Sequence, residues 1–275
     1  MSTIDIGLGG YKIIQNRNKN GKKMMSYIVT TPNDKVVVID GGLKEDGADL
    51  KEKILSLGGV VHMWYITHIH GDHVGAFINI MQDTNKIQVD RIYYDFPPRE
   101  WIQEIHPSGA RSLDEVLGVF KSLDGELIQA KRDMQFSLDG IEIDILSDAR
   151  YYSETNNINE TSAAYRFKFP NGKVAIFLGD MMETSGGYLA DYYGKKLKTD
   201  IVQIAHHGQW GIPKRAYKLM DPKVCLWPTN EDIWQNDNGE GYDTGPWRIF
   251  EIRKWMDDLE IGVHGIMKDG EVIII

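Results

Sequence analysis

The run Thr67-His68-Ile69-His70-Gly71-Asp72-His73 follows directly on the apolar stretch Val60 to Ile66, and it constrains this chain more than any other feature. Three imidazoles and a carboxylate within a few positions combine borderline nitrogen with hard oxygen donors. That combination suits Zn²⁺ and, less tightly, Mn²⁺ or Fe²⁺. In an extended segment His68 and His70 point the same way, because side chains alternate with period two, so both can reach one ion. Gly71 permits a sharp turn. Asp72 and His73 leave that turn at the start of a helix predicted over Gly75 to Met81, aimed at a second ion. Two adjacent divalent metals, zinc first among them, are the expectation. Chance clustering or ordinary helix capping explains a lone histidine, but not the whole string after a strand.

Composition sets the outer bounds. The 275 residues, 42% of them hydrophobic, suffice for a substantial core, and a single domain over 1–275 is expected. Met1-Ser2-Thr3-Ile4-Asp5 has neither the basic nor the apolar part of a leader. No later segment offers the ~18 uninterrupted apolar residues of a membrane span. A soluble, cytoplasmic protein with no membrane partner is therefore expected. Cys225 is the single cysteine, set in the apolar run Val224-Cys225-Leu226-Trp227, and reads as a buried structural thiol rather than a nucleophile. The net charge of −9 disfavours a broad cationic groove for nucleic acid. Two divalent ions would still make a local site for a small anionic substrate. The basic clusters Arg17 to Lys23 and Lys195 to Lys198 read as solvated loops.

Strands and helices alternate along the chain. Lys35 to Asp40 reads as a buried strand ending at Gly41-Gly42, followed by a helix over Asp49 to Leu57. Beyond the histidine motif the pattern predicts a strand at Asp90 to Tyr94 and a helix from Ser112 to Leu123, with Ser112 as N-cap and Glu115 three residues on. Strands at Glu126 to Gln129 and Ile141 to Leu146 come next, then a polar, irregular stretch over Tyr151 to Thr161. Ala163 to Phe169 and Lys173 to Leu178 form a hairpin across Pro170-Asn171-Gly172. A last helix is predicted over Pro246 to Leu259, and His264 falls in a terminal Gly-rich hairpin.

An internal echo runs through this order. Lys35-Val-Val-Val-Ile-Asp40 resembles Lys173-Val-Ala-Ile-Phe-Leu-Gly-Asp180, and each is followed by a helix, a strand and histidines before glycine: His68-Ile-His70-Gly71, then His206-His207-Gly208. Two related halves, approximately 1–147 and 148–275, would stack as a four-layer αββα sandwich of the α/β (α+β) class. Acidic and imidazole side chains would meet at the shared strand ends.

His68-Ile-His70-Gly-Asp72-His73, Asp40, Gly179-Asp180 and His206-His207-Gly208 together resemble the metallo-β-lactamase superfamily over nearly the whole chain. The tandem histidines look most like the branch holding the competence-protein ComEC hydrolase domain and the pneumococcal phosphorylcholine esterase. The resemblance implies that His68 and His70 bind a first ion, that Asp72, His73 and His207 bind a second, and that Asp180 bridges both. His206 would be a supporting donor or face the substrate, with the reverse assignment of His206 and His207 left open. Asp40 would orient a ligand histidine or the loop after it. Lactamases of this superfamily carry a third histidine on the first ion, but no histidine lies between Ala149 and Asp180. Asn156, Asn157, Asn159 and Ser162 stand there instead, as in the ComEC-like branch. Asp243-Thr244-Gly245-Pro246 replaces that branch's His-Pro pair. His62, His106 and His264 read as surface or core residues.

The resemblance implies a hydrolase in which a hydroxide held between two divalent ions attacks an ester, a phosphodiester first among them. Asp72 or Asp180 would orient it, and His206 or solvent would protonate the leaving oxygen. Lactones, thioesters or lactams are alternative substrates on the same site. A mononuclear iron oxidoreductase is a further alternative, since two histidines and a carboxylate also hold iron. A non-catalytic binding module fits least, because nearly every donor is present. Trp210, Trp227, Trp234, Tyr242 and Trp247 could wall a cleft and stack on a choline-like cation, but core or rim packing is their expected role.

Overall fold

The computed structural model describes residues 1–83 and 87–275. An eight-stranded sheet runs, in spatial order, Ser2–Ile4, Val272–Ile274, Lys12–Gln15, Ser26–Thr30, Val36–Asp40, Met63–Tyr65, Arg91–Tyr94, Glu126–Gln129. A seven-stranded sheet runs Gln135–Leu138, Ile141–Ser147, Ala164–Lys168, Val174–Phe177, Ile201–Gln203, Val224–Trp227, Val263–Ile266. In each sheet antiparallel strands give way to parallel ones, and in the first Ser2–Ile4 also pairs in parallel with Val272–Ile274 at the opposite edge. Val36–Asp40 pairs in parallel with Met63–Tyr65, and Val174–Phe177 with Ile201–Gln203.

Period-two alternation sorts side chains between layers. In Val36–Asp40, Val37 and Ile39 enter the core between the sheets, where they meet Ile143, Phe167 and Phe177 of the second sheet. Val36 and Val38 point the other way, onto the Gly47–Ser56 and Gly71–Gln82 helices through Leu50, Ile54 and Phe77. The second sheet repeats the scheme: Ala175 and Phe177 face inward, while Val174 and Ile176 pack under Leu189, Tyr217 and Ile252 of three outer helices. Each such large apolar side chain contributes about 1.5–3 kcal/mol on burial. Three cores between four layers make the αββα sandwich, which the sequence pattern anticipates. Strands covered on both faces carry continuous apolar runs. Cys225 lies in the outer core of the second sheet. No described helix is long and apolar enough to cross a membrane.

Three local expectations need correction. The helix after the histidine motif spans Gly71–Gln82, not Gly75 to Met81: extended His70 is its N-cap and the Val74 amide donates to the His70 carbonyl at 3.0 Å. Asp72 and His73 therefore stand in its first turn. The helix expected from Ser112 spans Pro107–Phe120, because Pro107 presets φ at the first position and the His106 ring caps the end by accepting from the Gly109 amide at 2.9 Å. Ser112 lies mid-helix and its hydroxyl donates to the Ser108 carbonyl. The terminal hairpin does not form. Val263–Ile266 joins the second sheet beside Val224–Trp227, while Val272–Ile274 crosses into the first beside Lys12–Gln15. His264 accepts from the Trp227 indole at 3.1 Å.

Candidate metal centre

The donors converge because each follows the carboxyl end of a parallel strand, and such ends form the natural crevice of an α/β sheet. Asp40 ends Val36–Asp40, the histidine motif follows Met63–Tyr65, Asp180 follows Val174–Phe177, and His206 and His207 follow Ile201–Gln203. Backbone geometry at these ends is special. Asp40, His206 and His207 hold left-handed φ of 54°, 50° and 55°, a conformation that costs most non-glycine residues free energy and collects at functional sites. Gly179 also sits at φ 57°, and a Cβ there would lie 2.8 Å from the Thr67 Cβ. Only glycine lets the Asp180 turn come this close to the histidine motif. Buried Gln203 fixes that turn, accepting from the Leu178 and Gly179 amides and donating to the Gly179 carbonyl.

Two donor groups result. One comprises His68, His70 and Asp180; the other Asp72, His73, Asp180 and His207. His68 Nε2 lies 3.0 Å from His70 Nδ1 and 3.9 Å from Asp180 Oδ2. Asp180 Oδ1 lies 3.3 Å from His73 Nε2 and 3.4 Å from His207 Nε2, and Asp72 Oδ2 lies 3.2 Å from His207 Nε2. Asp180 thus offers one oxygen to each group. His207, not His206, belongs to the second.

Outer partners set the histidine tautomers. Asp40 Oδ2 accepts from His73 Nδ1 at 2.8 Å, and the Pro228 carbonyl accepts from His207 Nδ1 at 2.8 Å, so both Nε2 lone pairs face the donor group. Asp40 also accepts from the Thr67 amide and hydroxyl, each at 2.8 Å.

The donor set fits a divalent-metal site. His73 Nε2, both Asp180 oxygens and His207 Nε2 are buried and make no hydrogen bond. Orphaned buried polar atoms are rare in folded proteins, and here they crowd around common points. The electrostatics agree. Burial opposes protonation of His73 and His207, yet Asp180, helped by Asp40 at His73 and by Asp72 at His207, raises both above the ordinary histidine value. Burial holds His68 far below that value, and likewise His70, to about 3. Without a cation the second group draws protons instead.

Further residues reach this site. His206 Nε2 accepts from Asn159 Nδ2 at 3.2 Å, leaving its buried Nδ1 without a partner; burial lowers its pKa to about 4. Ser162 Oγ accepts from the Asp180 amide at 3.2 Å. Glu160 accepts from Thr184 and Ser185 and so ties the Asn-rich turns to the Glu183–Tyr193 helix. Two contributors escaped the sequence reading. The His106 ring lies 4.8 Å from that of His70, a contact that sequence separation hides. Lys23 Nζ lies 2.9 Å from Asp72 Oδ2, so the run Arg17 to Lys23 is not wholly a solvated loop. Of the five aromatics that could wall a cleft, Trp227 is buried and packs on Trp234, Trp247 joins the rim of the outer core, Tyr242 is exposed, and the Trp210 ring lies 6.0 Å from that of His206.

A four-layer sandwich with a buried His/Asp cluster at its strand ends defines a fold with a candidate divalent-metal site. The chain belongs to the metallo-β-lactamase superfamily, whose family model matches residues 25–226 and whose members are mostly hydrolytic metalloenzymes. Among solved structures, the metallo-β-lactamase fold protein YhfI from Bacillus subtilis superposes with a TM-score of 0.54 at 13% identity, covering 94% of this chain and 98% of that one. Unliganded yeast PDE1 gives 0.52 at 11%, covering 96% and 97%. A variant of the β-hydroxylase CmlA gives 0.56 at 10%, covering 96% of this chain and 53% of the other. At these identities the likeness is one of fold. No curated protein sequence matches.

Proposed function

We propose that this chain is a hydrolase that uses two divalent ions, zinc first among them, on a phosphodiester or related anionic ester. The sharing of Asp180 between two donor groups carries this reading. His68 and His70 with one Asp180 oxygen would hold the first ion; Asp72, His73 and His207 with the other would hold the second. Ions bound there acidify water and draw charge off the attacked centre.

The chain's own groups do the rest. Asp72 and Asp180 orient the attacking water by accepting its hydrogen bond. His206 is neutral near pH 7 and, with Nε2 engaged by Asn159, carries its proton on Nδ1. It serves as a hydrogen-bond donor to a substrate oxygen, and solvent supplies the proton that the leaving group takes. A first group without a third histidine leaves coordination positions for substrate oxygens, which favours an anionic ester over a lactam. Asn159, Ser162 and the tandem His206-His207-Gly208 support placement in the ComEC-like, phosphorylcholine esterase-like branch.

The test is hydrolysis of bis(p-nitrophenyl) phosphate by protein reconstituted in turn with Zn²⁺, Mn²⁺ and Fe²⁺, with His70→Ala as control. Turnover that vanishes in the control is expected. Absence of turnover with every ion, despite stoichiometric metal, would overturn the phosphodiester reading and direct attention to lactones, thioesters and oxygen consumption by the iron form.

A further inference from the structure

Lys19, Lys22 and Lys23 come from one basic run but have different fates. Lys19 pairs with Asp49 at 2.7 Å and Lys22 with Glu45 at 2.6 Å, both at the surface. Lys23 turns inward. Among the described residues it is the one Lys or Arg paired with a carboxylate of the donor groups, Asp72. Its backbone is pinned on both sides of the crevice. The Met25 amide donates to the Asp72 carbonyl at 3.0 Å, and Asn230 Nδ2 donates to the Gly21 carbonyl at 2.9 Å, one residue beyond Thr229, whose hydroxyl donates to the His207 carbonyl. The loop is thus fastened to the chain segments that carry Asp72 and His207, which keeps the Lys23 backbone beside them.

The charge count at this place matters. Asp72 and Asp180 bring two negative charges to the second donor group, which one divalent ion balances. The Asp72 oxygen that touches Lys23 is also the one facing His207, so an ion in that group and the ammonium compete for it. With the ion in place the ammonium is surplus, and the Lys23 side chain is 39% exposed. A flexible four-carbon stem lets it turn toward an incoming anion.

We infer that Lys23 is the anion-binding residue of this centre, gripping a negatively charged oxygen of the substrate, such as a non-bridging phosphate oxygen. This rests on the hydrolase reading for its consequence in turnover, but not for anion binding itself. The test compares wild type, Lys23→Met and Lys23→Arg, each zinc-loaded with metal content measured, by calorimetric titration with inorganic phosphate and by kinetics on bis(p-nitrophenyl) phosphate. Loss of one charged hydrogen bond weakens phosphate binding in Lys23→Met roughly tenfold. KM for the diester rises by a similar factor while kcat falls less, and Lys23→Arg recovers most of both. Wild-type phosphate affinity in fully metallated Lys23→Met would overturn the inference, and so would loss of zinc in Lys23→Met but not in Lys23→Arg, which would make Lys23 a residue that positions Asp72 for the ion rather than one that binds the anion. Inactivity of the wild type on the diester would count against the phosphodiester reading alone, because the phosphate titration still reports on Lys23.

Discussion

Asp40→Asn is the sharpest probe of how the second donor group is organised. The substitution keeps side-chain volume, and asparagine tolerates the left-handed φ of 54° found here. Asp40 is fully buried and accepts three hydrogen bonds: Oδ1 from the Thr67 amide, Oδ2 from the Thr67 hydroxyl and from His73 Nδ1. An amide cannot reproduce this. If its NH₂ takes the Oδ2 position it confronts the His73 Nδ1 proton; in the Oδ1 position it confronts the Thr67 amide. Either way a buried donor loses an anionic acceptor, at about 1.5–3 kcal/mol. His73 can escape by moving its proton to Nε2, but that nitrogen is the one 3.3 Å from Asp180 in the donor group. Affinity for the second ion then falls by about 10–100-fold. Equilibrium dialysis against buffered zinc, read by elemental analysis, measures the loss site by site, and urea unfolding of the metal-free proteins measures the stability change. Two ions bound to Asp40→Asn with wild-type affinity, and an unchanged unfolding midpoint, would refute the role assigned to Asp40.

Other consequences are open to direct measurement. Gly208→Ala puts a Cβ 2.7 Å from Ile249 Cδ1 and 3.1 Å from the Trp227 ring at φ 77°, so denaturant unfolding should show a loss of about 2–4 kcal/mol; a neutral substitution would contradict the packing described. Because Asp180 raises His73 and His207 above their ordinary value while burial keeps His68 and His70 below it, filling the second group should release protons near neutral pH and filling the first should not. The sign follows: metal-free protein is protonated at His73 and His207 below their raised pKa values, so apparent affinity for the second ion weakens as pH falls, about tenfold per pH unit for each proton displaced. Calorimetry in buffers of different ionisation enthalpy counts those protons, and a count of zero for both ions would be inconsistent. Cys225 is fully buried and its thiol is pushed well above the ordinary range by that burial; it should resist a disulfide reagent at pH 8 until the protein unfolds, and fast native labelling would contradict its place in the core.

Much of the site was legible because its chemistry is dense in sequence. His68, His70, Asp72 and His73 need one strand end and one turn to meet, and Gly179-Asp180 and His206-His207-Gly208 repeat the device of donors beside a glycine at a strand end. Layering was legible too, since Val36–Asp40 and Val174–Phe177 carry the apolar runs of strands covered on both faces. Long-range contacts were not. Nothing local distinguishes Lys23 from Lys22, and only the tethering of Met25 to Asp72 and of Gly21 to Asn230 turns it inward. The Ser112-x-x-Glu115 cap signal misled because Pro107 and the His106 ring start the helix a turn earlier. Val272–Ile274 leaves its neighbour in sequence for the far sheet, a choice made by burial of Val272 and Ile274 in the core between sheets rather than by turn chemistry. The first sheet therefore draws on both ends of the chain, and the second on residues 135–266.

Anomalous diffraction from crystals grown with zinc tests the central claim most directly. The account predicts two peaks about 3.5–4 Å apart, one against His68, His70 and Asp180, the other against Asp72, His73, Asp180 and His207. No peak among these residues at saturating zinc, or a peak bound by neither oxygen of Asp180, would contradict it.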